Sequence, residues 1–269
     1  MLRIEEFEDG HRPGGTDQKT QLVFNEGKVG VNFVSIFDGL LSGDWSDRAY
    51  QYAISRGGRP WGVYVLTSDV CDTLLDPNAM WGSDPERAIG LMSVRALLLE
   101  RGRGVIGSDL DRIHGTVVWC LASGLSNQVE YHIDYAELYR YETNVIHPPL
   151  YAGTCQVSPM KADGSSMKGG DFCVNVAGLD HYRKCGYKGK LMGGQKGLET
   201  DLSTSADWLK IPYRRNRGIF HDGDLPHLST PVSYLETGLR RVILGFNCFT
   251  HIVGECCQRA PEHSQASEE

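Results

Sequence analysis

Short runs of β-branched and aromatic residues, separated by Gly, Pro, Asn and Asp, fill the chain after Gly115. The clearest runs are TVVWCLA, DFCVNVAGL, RGIFHDG and RRVILGFNCF. Runs of this length between turn residues predict strands, and several in succession predict a sandwich or jelly roll. We therefore expect residues 115–250 to form a β-rich core.

Two stretches in the first 110 residues predict helices. In SDPERAIGLMSVRALLLERGRG, Ser83 is the expected N-cap and Glu86, three residues later, completes a capping box. In WSDRAYQYAISRGG, Ser46 or Asp47 is expected near the cap. We expect both helices to pack on the outside of a sheet.

The chain length of 269 residues fits one large β-rich domain. We expect a single domain, 1–269. Residues 1–110 are expected to form a helical and mixed part, residues 115–250 the core, and the polar end, 258–269, a disordered tail. The segment CGYKGKLMGGQKGLETD has loop composition and is long enough to suggest a lid or binding loop.

Bulk properties narrow the functional classes. The net charge of −7 gives no global field to hold a polyanion, so we expect no nucleic-acid partner. No stretch approaches the roughly 20 apolar residues of a membrane span, and the acidic start does not resemble a secretory signal, which predicts a cytoplasmic protein without a membrane partner. The eight cysteines form no C-x-x-C pair and are expected to be reduced and mostly buried. The sequence leaves the oligomeric state open.

The sharpest local motif is Tyr131-His132-Ile133-Asp134, which follows a β-type run. In an extended segment, residues i and i+2 point to the same side, so His132 and Asp134 can converge on one cation. A second block, GIFHDGDLPHLSTPVSYLETGLRRVILGFNCF, places a further histidine and a Gly-x-Arg ahead of an apolar strand.

These motifs together resemble the Fe(II)/2-oxoglutarate-dependent oxygenase superfamily, in its prolyl-hydroxylase-like or phytanoyl-hydroxylase-like branch. The family pattern is H-x-D, a distal histidine several strands later, and an Arg or Lys about ten residues beyond. The resemblance covers roughly residues 115–249, and it includes GGDF at 169–172 as the opening of a core strand.

The resemblance implies a mainly β fold with flanking helices, a double-stranded β-helix of the jelly-roll or cupin-like type. It implies an enzyme, a dioxygenase with Fe(II), 2-oxoglutarate as co-substrate and O2, which hydroxylates or otherwise oxidises a small molecule or a protein side chain and releases succinate and CO2. Two imidazoles and one carboxylate on one face of Fe(II) leave positions open for the co-substrate and O2.

The resemblance also assigns residues. His132, Asp134 and His227 are the expected metal ligands and catalytic residues, with His227 preferred over His221 because it precedes Pro231-Val232 by four residues. For the far carboxylate of 2-oxoglutarate, Arg240 of Gly238-Leu239-Arg240 is preferred and the adjacent Arg241 is the alternative.

Other assignments stay open. Tyr139, close after the H-x-D motif, is a further candidate to contact 2-oxoglutarate. The histidines at 114, 147, 181 and 251 are expected to be surface or satisfied core residues. Two other functions fit the same fold: a non-catalytic binding or sensor protein, and a cupin-type metalloenzyme that does not use 2-oxoglutarate.

Overall fold

The computed structural model describes residues 2–7, 20–161 and 163–253. The strands are β1 Leu2–Phe7, β2 Thr20–Asn25, β3 Val34–Asp38, β4 Trp61–Leu66, β5 Gly115–Ser123, β6 Val129–His132, β7 Val145–Ile146, β8 Tyr151–Gln156, β9 Met167–Gly169, β10 Phe172–Asn175, β11 Trp208–Ile211, β12 Arg217–Asp222, β13 His227–Ser229, β14 Val232–Leu235 and β15 Arg241–Phe249.

The α-helices are α1 Trp45–Ser55, α2 Thr67–Cys71, α3 Pro77–Met80, α4 Pro85–Val94, α5 Arg103–Ile106, α6 Glu137–Thr143, α7 Leu179–Cys185 and α8 Gln195–Thr204. Helix α4 continues as a π-helix over Arg95–Arg101, and 3-10 helices cover Gly107–Arg112 and Tyr187–Met192. Among the described residues, none of the helices combines the length and the apolar character that a bilayer crossing requires.

Two antiparallel sheets form the core. The larger has the order β3-β12-β8-β15-β5-β4 and the smaller β11-β10-β13-β6. From β5 onwards the chain passes repeatedly from one sheet to the other, with β5, β8, β12 and β15 in the larger and β6, β10, β11 and β13 in the smaller, while β7 pairs with β2 and β9 with β14. Side chains of β12 and β10 meet between the two core sheets in a cluster that contains Ile219, Phe172 and Val174. This winding is that of a double-stranded β-helix, so the predicted fold is confirmed.

The N-terminal part is built onto the larger sheet. Strands β3 and β4 pair antiparallel with β12 and β5 and so extend the sheet at its two edges. The outer face of the sheet packs against α1 and α4, as expected. Successive residues of β15 alternate between the two faces. The residues on the helix side are Val242, Leu244, Phe246 and Cys248. Those facing the smaller sheet are therefore Arg241, Ile243, Gly245, Asn247 and Phe249.

Both predicted helices form, but their first residues differ from the expectation. Helix α4 is capped by Asp84 rather than Ser83, because the Asp84 carboxylate accepts a hydrogen bond from the backbone N–H of Arg87 at 3.1 Å and Pro85 occupies the first helical turn. Helix α1 already includes Ser46 and Asp47, and its N-cap residue, Asp44, makes no side-chain capping bond.

The Gly/Lys-rich segment is helical rather than the loop that its composition predicts. Helices α7 and α8 pack on the outer face of the smaller sheet, where Leu179, Tyr182 and Leu198 lie in one cluster with Tyr131 and Leu228. Glycines with positive φ separate the helical pieces, which explains the loop-like composition. The predicted disordered tail, 258–269, lies outside the described residues. The six cysteines for which a state is described are free, and five are buried.

Candidate metal centre

The predicted ligands meet where β6 and β13 pair. His132 is the last residue of β6, and its cross-strand partner on β13 is His227. The centroids of the two imidazole rings are 4.4 Å apart. Asp134 follows two residues after His132, with Oδ1 3.3 Å from Nε2 of His132 and Oδ2 3.8 Å from Nε2 of His227. One ligand atom from each residue lies within 4.8 Å of the other two.

Backbone carbonyls orient the two imidazoles. The Nδ1–H of His132 donates to the carbonyl of Glu130 at 2.7 Å, and that of His227 donates to the carbonyl of Leu225 at 3.0 Å. Each ring therefore keeps its Nε2 lone pair for a ligand. Fixing the tautomer through Nδ1 is the usual way in which proteins prepare a metal-binding histidine.

The protonation states of the three groups suit a cation. Burial alone raises the pKa of Asp134, but the charges of the neighbouring imidazoles outweigh it and lower the value to about 2. Burial lowers the pKa of His227 to about 3. For His132, burial lowers the pKa, yet the hydrogen bond and charge of Asp134 outweigh that effect and raise it. Near neutral pH the centre presents a carboxylate and a neutral His227.

A further polar side chain contacts the carboxylate from the larger sheet. With its amide turned so that the NH2 group faces Asp134, Asn247 donates to Oδ2 at 3.0 Å and to the carbonyl of Phe246 at 2.8 Å. Sequence reasoning missed this residue. The available signal was a polar residue inside the otherwise apolar run GFNCF.

The two arginines face opposite sides of the larger sheet. Arg240 is exposed, with its guanidinium beside Gly58 on the outside of the sheet. Arg241 is 2% exposed, and its guanidinium carbon lies 5.6 Å from the ring centroid of Tyr213. Its Nε has no hydrogen-bond partner among the described residues. Because β15 begins at Arg241, this arginine shares the inner face with Asn247.

The GGDF turn makes room for the buried arginine. Gly169 and Gly170 have φ values of +76° and +71°, and a Cβ on Gly170 would lie 2.9 Å from Nε of Arg241. A Cβ on Gly169 would lie 2.1 Å from the carbonyl oxygen of Pro231. Both the backbone conformation and the close approach therefore require glycine.

A cavity of about 430 Å³ opens beside the centre and is lined by His132, Asp134, Asn247, Trp119 and Leu121, among others. Lys188, which pairs with Glu130 at 2.5 Å, also lines it. Arg241 does not line it. The indole of Trp119 lies over Gly245, where a Cβ would come within 1.9 Å of the ring.

Three further residues named from the sequence differ in their positions relative to the centre. Tyr139, on α6, is partly exposed, has its ring centroid 6.3 Å from that of His147, and does not line the cavity. His147 is not the satisfied histidine that the sequence suggested, since it is buried and neither ring nitrogen has a hydrogen-bond partner among the described residues. His221 is buried on β12 with its ring centroid 5.2 Å from that of His227.

Oxygenases are among the solved structures that resemble the chain. A prolyl hydroxylase from Trichoplax adhaerens, in complex with a peptide fragment of the hypoxia-inducible factor oxygen degradation domain, is 12% identical with a TM-score of 0.44, over 81% of this chain and 84% of that one. A prolyl-4-hydroxylase from Pseudomonas putida is 11% identical with a TM-score of 0.41, over 80% and 83%.

A 2OG-Fe(II) oxygenase family oxidoreductase from Burkholderia pseudomallei is 11% identical with a TM-score of 0.32, over 63% of this chain and 60% of that one. No protein-family model and no curated protein matches the sequence.

Proposed function

We propose that this protein is a non-haem Fe(II) dioxygenase that uses 2-oxoglutarate to hydroxylate or otherwise oxidise a small molecule or a protein side chain. The observation that carries the proposal is the meeting of His132, Asp134 and His227 between the two sheets of a double-stranded β-helix. Two imidazoles and one carboxylate, with positions left open, form the ligand set of non-haem Fe(II) oxygenases.

The donors fit such an ion. Both imidazoles keep Nε2 free because Nδ1–H is bound to a backbone carbonyl, and Asp134 is a carboxylate near neutral pH. When bound, Fe(II) with 2-oxoglutarate and O2 supplies an oxidative decarboxylation to succinate and CO2, coupled to oxidation of a substrate C–H bond. The protein holds the ion on one side and leaves the cavity side free.

Arg241 is the residue that we assign to the far carboxylate of 2-oxoglutarate. The Arg241 side chain is buried and its Nε has no hydrogen-bond partner among the described residues, and a buried cation is stabilised by a charge-assisted pair with a carboxylate. Tyr213 supports it through its ring.

The cavity walls indicate how a substrate would be held. Trp61, Trp119 and Phe249 provide apolar surface, and the ion pair of Lys188 with Glu130 lies beside His132. A substrate bound in this cavity would lie beside His132 and Asp134, the residues that would hold the metal. We propose a cytoplasmic, single-domain enzyme.

The proposal is tested by 2-oxoglutarate turnover without added substrate, followed by the same assay with pooled metabolites and peptides. We expect succinate to form only when Fe(II), 2-oxoglutarate and O2 are all present. Asp134→Ala, folded as judged by circular dichroism, is the control and should form none. Metal bound at the triad without any succinate from 2-oxoglutarate would favour a metalloprotein of another kind, such as a cupin-type enzyme or a sensor.

A further inference from the structure

His221 lies on the face of the larger sheet that is turned towards the metal centre, and the strand register fixes its position there. In the larger sheet, Ala152 of β8 pairs with His221 on one side and with Asn247 on the other. The three residues therefore form one row across the sheet and face the smaller sheet. The middle side chain is a methyl group, so the polar side chains of the row are those of His221 and Asn247.

Both polar members of this row reach the metal centre. Asn247 contacts the carboxylate of Asp134 through its amide. The ring of His221 packs near that of His227, and Phe172 covers both imidazoles, with centroid distances of 5.6 Å to His221 and 5.1 Å to His227.

The hydrogen bonds of His221 leave one nitrogen available. Its Nδ1–H donates to the carbonyl of Asp222 at 2.8 Å, which makes Nε2 an acceptor. This atom is buried, in a residue that is 1% exposed, and it has no partner among the described residues. A buried acceptor without a donor is unfavourable, so a bound molecule that supplies a donor is expected there.

His221 is not one of the three residues whose ligand atoms come together within 4.8 Å. Its role therefore differs from that of His132 and His227, although it carries the same side chain in the same tautomer. A residue next to the ligand set that offers only a lone pair can bind an O–H or N–H group, such as a water held in an open position of the metal.

We propose that Nε2 of His221 accepts a hydrogen bond from a water bound at the metal, so that His221 is a positioning residue and not a fourth ligand. This inference rests on the proposed metal centre. Two polar residues of the larger sheet would then serve the metal centre. Asn247 donates a hydrogen bond to the carboxylate of Asp134, and His221 accepts one from the exchangeable water. A substrate or co-substrate group that replaces the water must donate a hydrogen bond of its own to Nε2 of His221. Otherwise this acceptor is left without a partner.

Titration of the purified protein with Co(II), followed by visible absorption and by competition with a chelator, tests the inference. His221→Phe keeps a ring without an acceptor, and His221→Gln restores an acceptor on a flexible stem. We expect the Phe variant to bind Co(II) about 10- to 100-fold more weakly, as is typical when a residue behind the ligands is lost, with the absorption bands unchanged. The Gln variant should bind within about threefold of wild type, as should His251→Gln, a control outside the centre.

Two outcomes overturn the inference. Unchanged Co(II) affinity in His221→Phe means that the acceptor does not act on the metal. Loss of Co(II) as complete as in His227→Ala, with altered bands, makes His221 a fourth ligand. If the Phe variant does not fold, His221→Leu repeats the test. If wild-type protein binds no Co(II), the metal centre itself, and with it the proposed function, is wrong.

Discussion

The amide of Asn247 lies 3.0 Å from Oδ2 of Asp134, the oxygen that faces His227, when its NH2 group points at the carboxylate. Asn247 belongs to the larger sheet and Asp134 follows a strand of the smaller one. This hydrogen bond links the two sheets at the metal centre. It also uses one lone pair of Oδ2 and so limits how the carboxylate can rotate.

Replacing Asn247 by Leu should weaken metal binding while the fold is kept. The substitution removes the donor that orients Asp134 and keeps a side chain of similar size. Loss of a hydrogen bond to a ligating carboxylate is expected to reduce affinity by about 10- to 100-fold, which chelator competition measures. Wild-type affinity in Asn247→Leu would show that the loop after β6 holds Asp134 without help from the larger sheet.

Arg241 should determine the affinity for 2-oxoglutarate, and its neighbour Arg240 should not. A charge-assisted pair contributes about 1.5–3 kcal/mol, so Arg241→Ala should raise the KM for 2-oxoglutarate roughly ten- to a hundredfold. Arg240→Ala is the matched control, since its guanidinium lies outside the sheet beside Gly58. A rise confined to Arg240→Ala, or no rise in either variant, would argue against the pocket that we assign.

The choice between these two arginines shows where sequence reasoning stopped. The period of two residues along a strand predicts that one of them faces inward, and it placed His132 and Asp134 on one side. Which arginine faces inward depends on where the turn after β14 ends and on the register with β5, and both depend on contacts between distant segments. The preferred Gly-x-Arg spacing led to Arg240, whereas the strand starts one residue later.

The row His221–Ala152–Asn247 could not be predicted for the same reason. Its members come from three strands that are up to 95 residues apart in sequence, and one of them is an alanine without chemical signal. The core strands were predictable because their apolar runs are bounded by turn residues. The segment of α7 and α8 was not, because glycines between short helical pieces give it the composition of a loop.

Gly245→Ala should destabilise the protein. A Cβ at this position would lie 1.9 Å from the indole of Trp119, so the ring or the strand must shift. Overpacking of this kind costs about 1–3 kcal/mol, which the midpoint and slope of urea unfolding measure. Gly124→Ala, at a position with open space after β5, is the matched control and should change stability little. Equal stability of the two variants would mean that Trp119 does not occupy the interior as described.

His147 should make the protein sensitive to mild acid. Burial, and then the charge of His251, lower the pKa of His147 from 6.5 to about 4. Above pH 6.5 His147 is neutral in both the folded and the unfolded state, so its titration does not affect stability. As the pH falls from 6.5 towards 4, the unfolded chain binds the proton first, which lowers the free energy of unfolding by roughly 3 kcal/mol in all. The free energy of unfolding of His147→Phe should therefore decline less than that of wild type between pH 6.5 and 4. Parallel pH profiles would mean that His147 keeps its ordinary pKa.

The metal content of the purified chain tests the central claim most directly. After anaerobic dialysis against Fe(II), wild-type protein should hold one ion per chain, and Asp134→Ala and His227→Ala should each bind more than about 100-fold more weakly, since losing a ligand costs more than losing a residue behind it. His181→Gln, whose imidazole pairs with Asp201 behind the smaller sheet, should retain the ion. Full iron content in folded Asp134→Ala would contradict the metal centre described here.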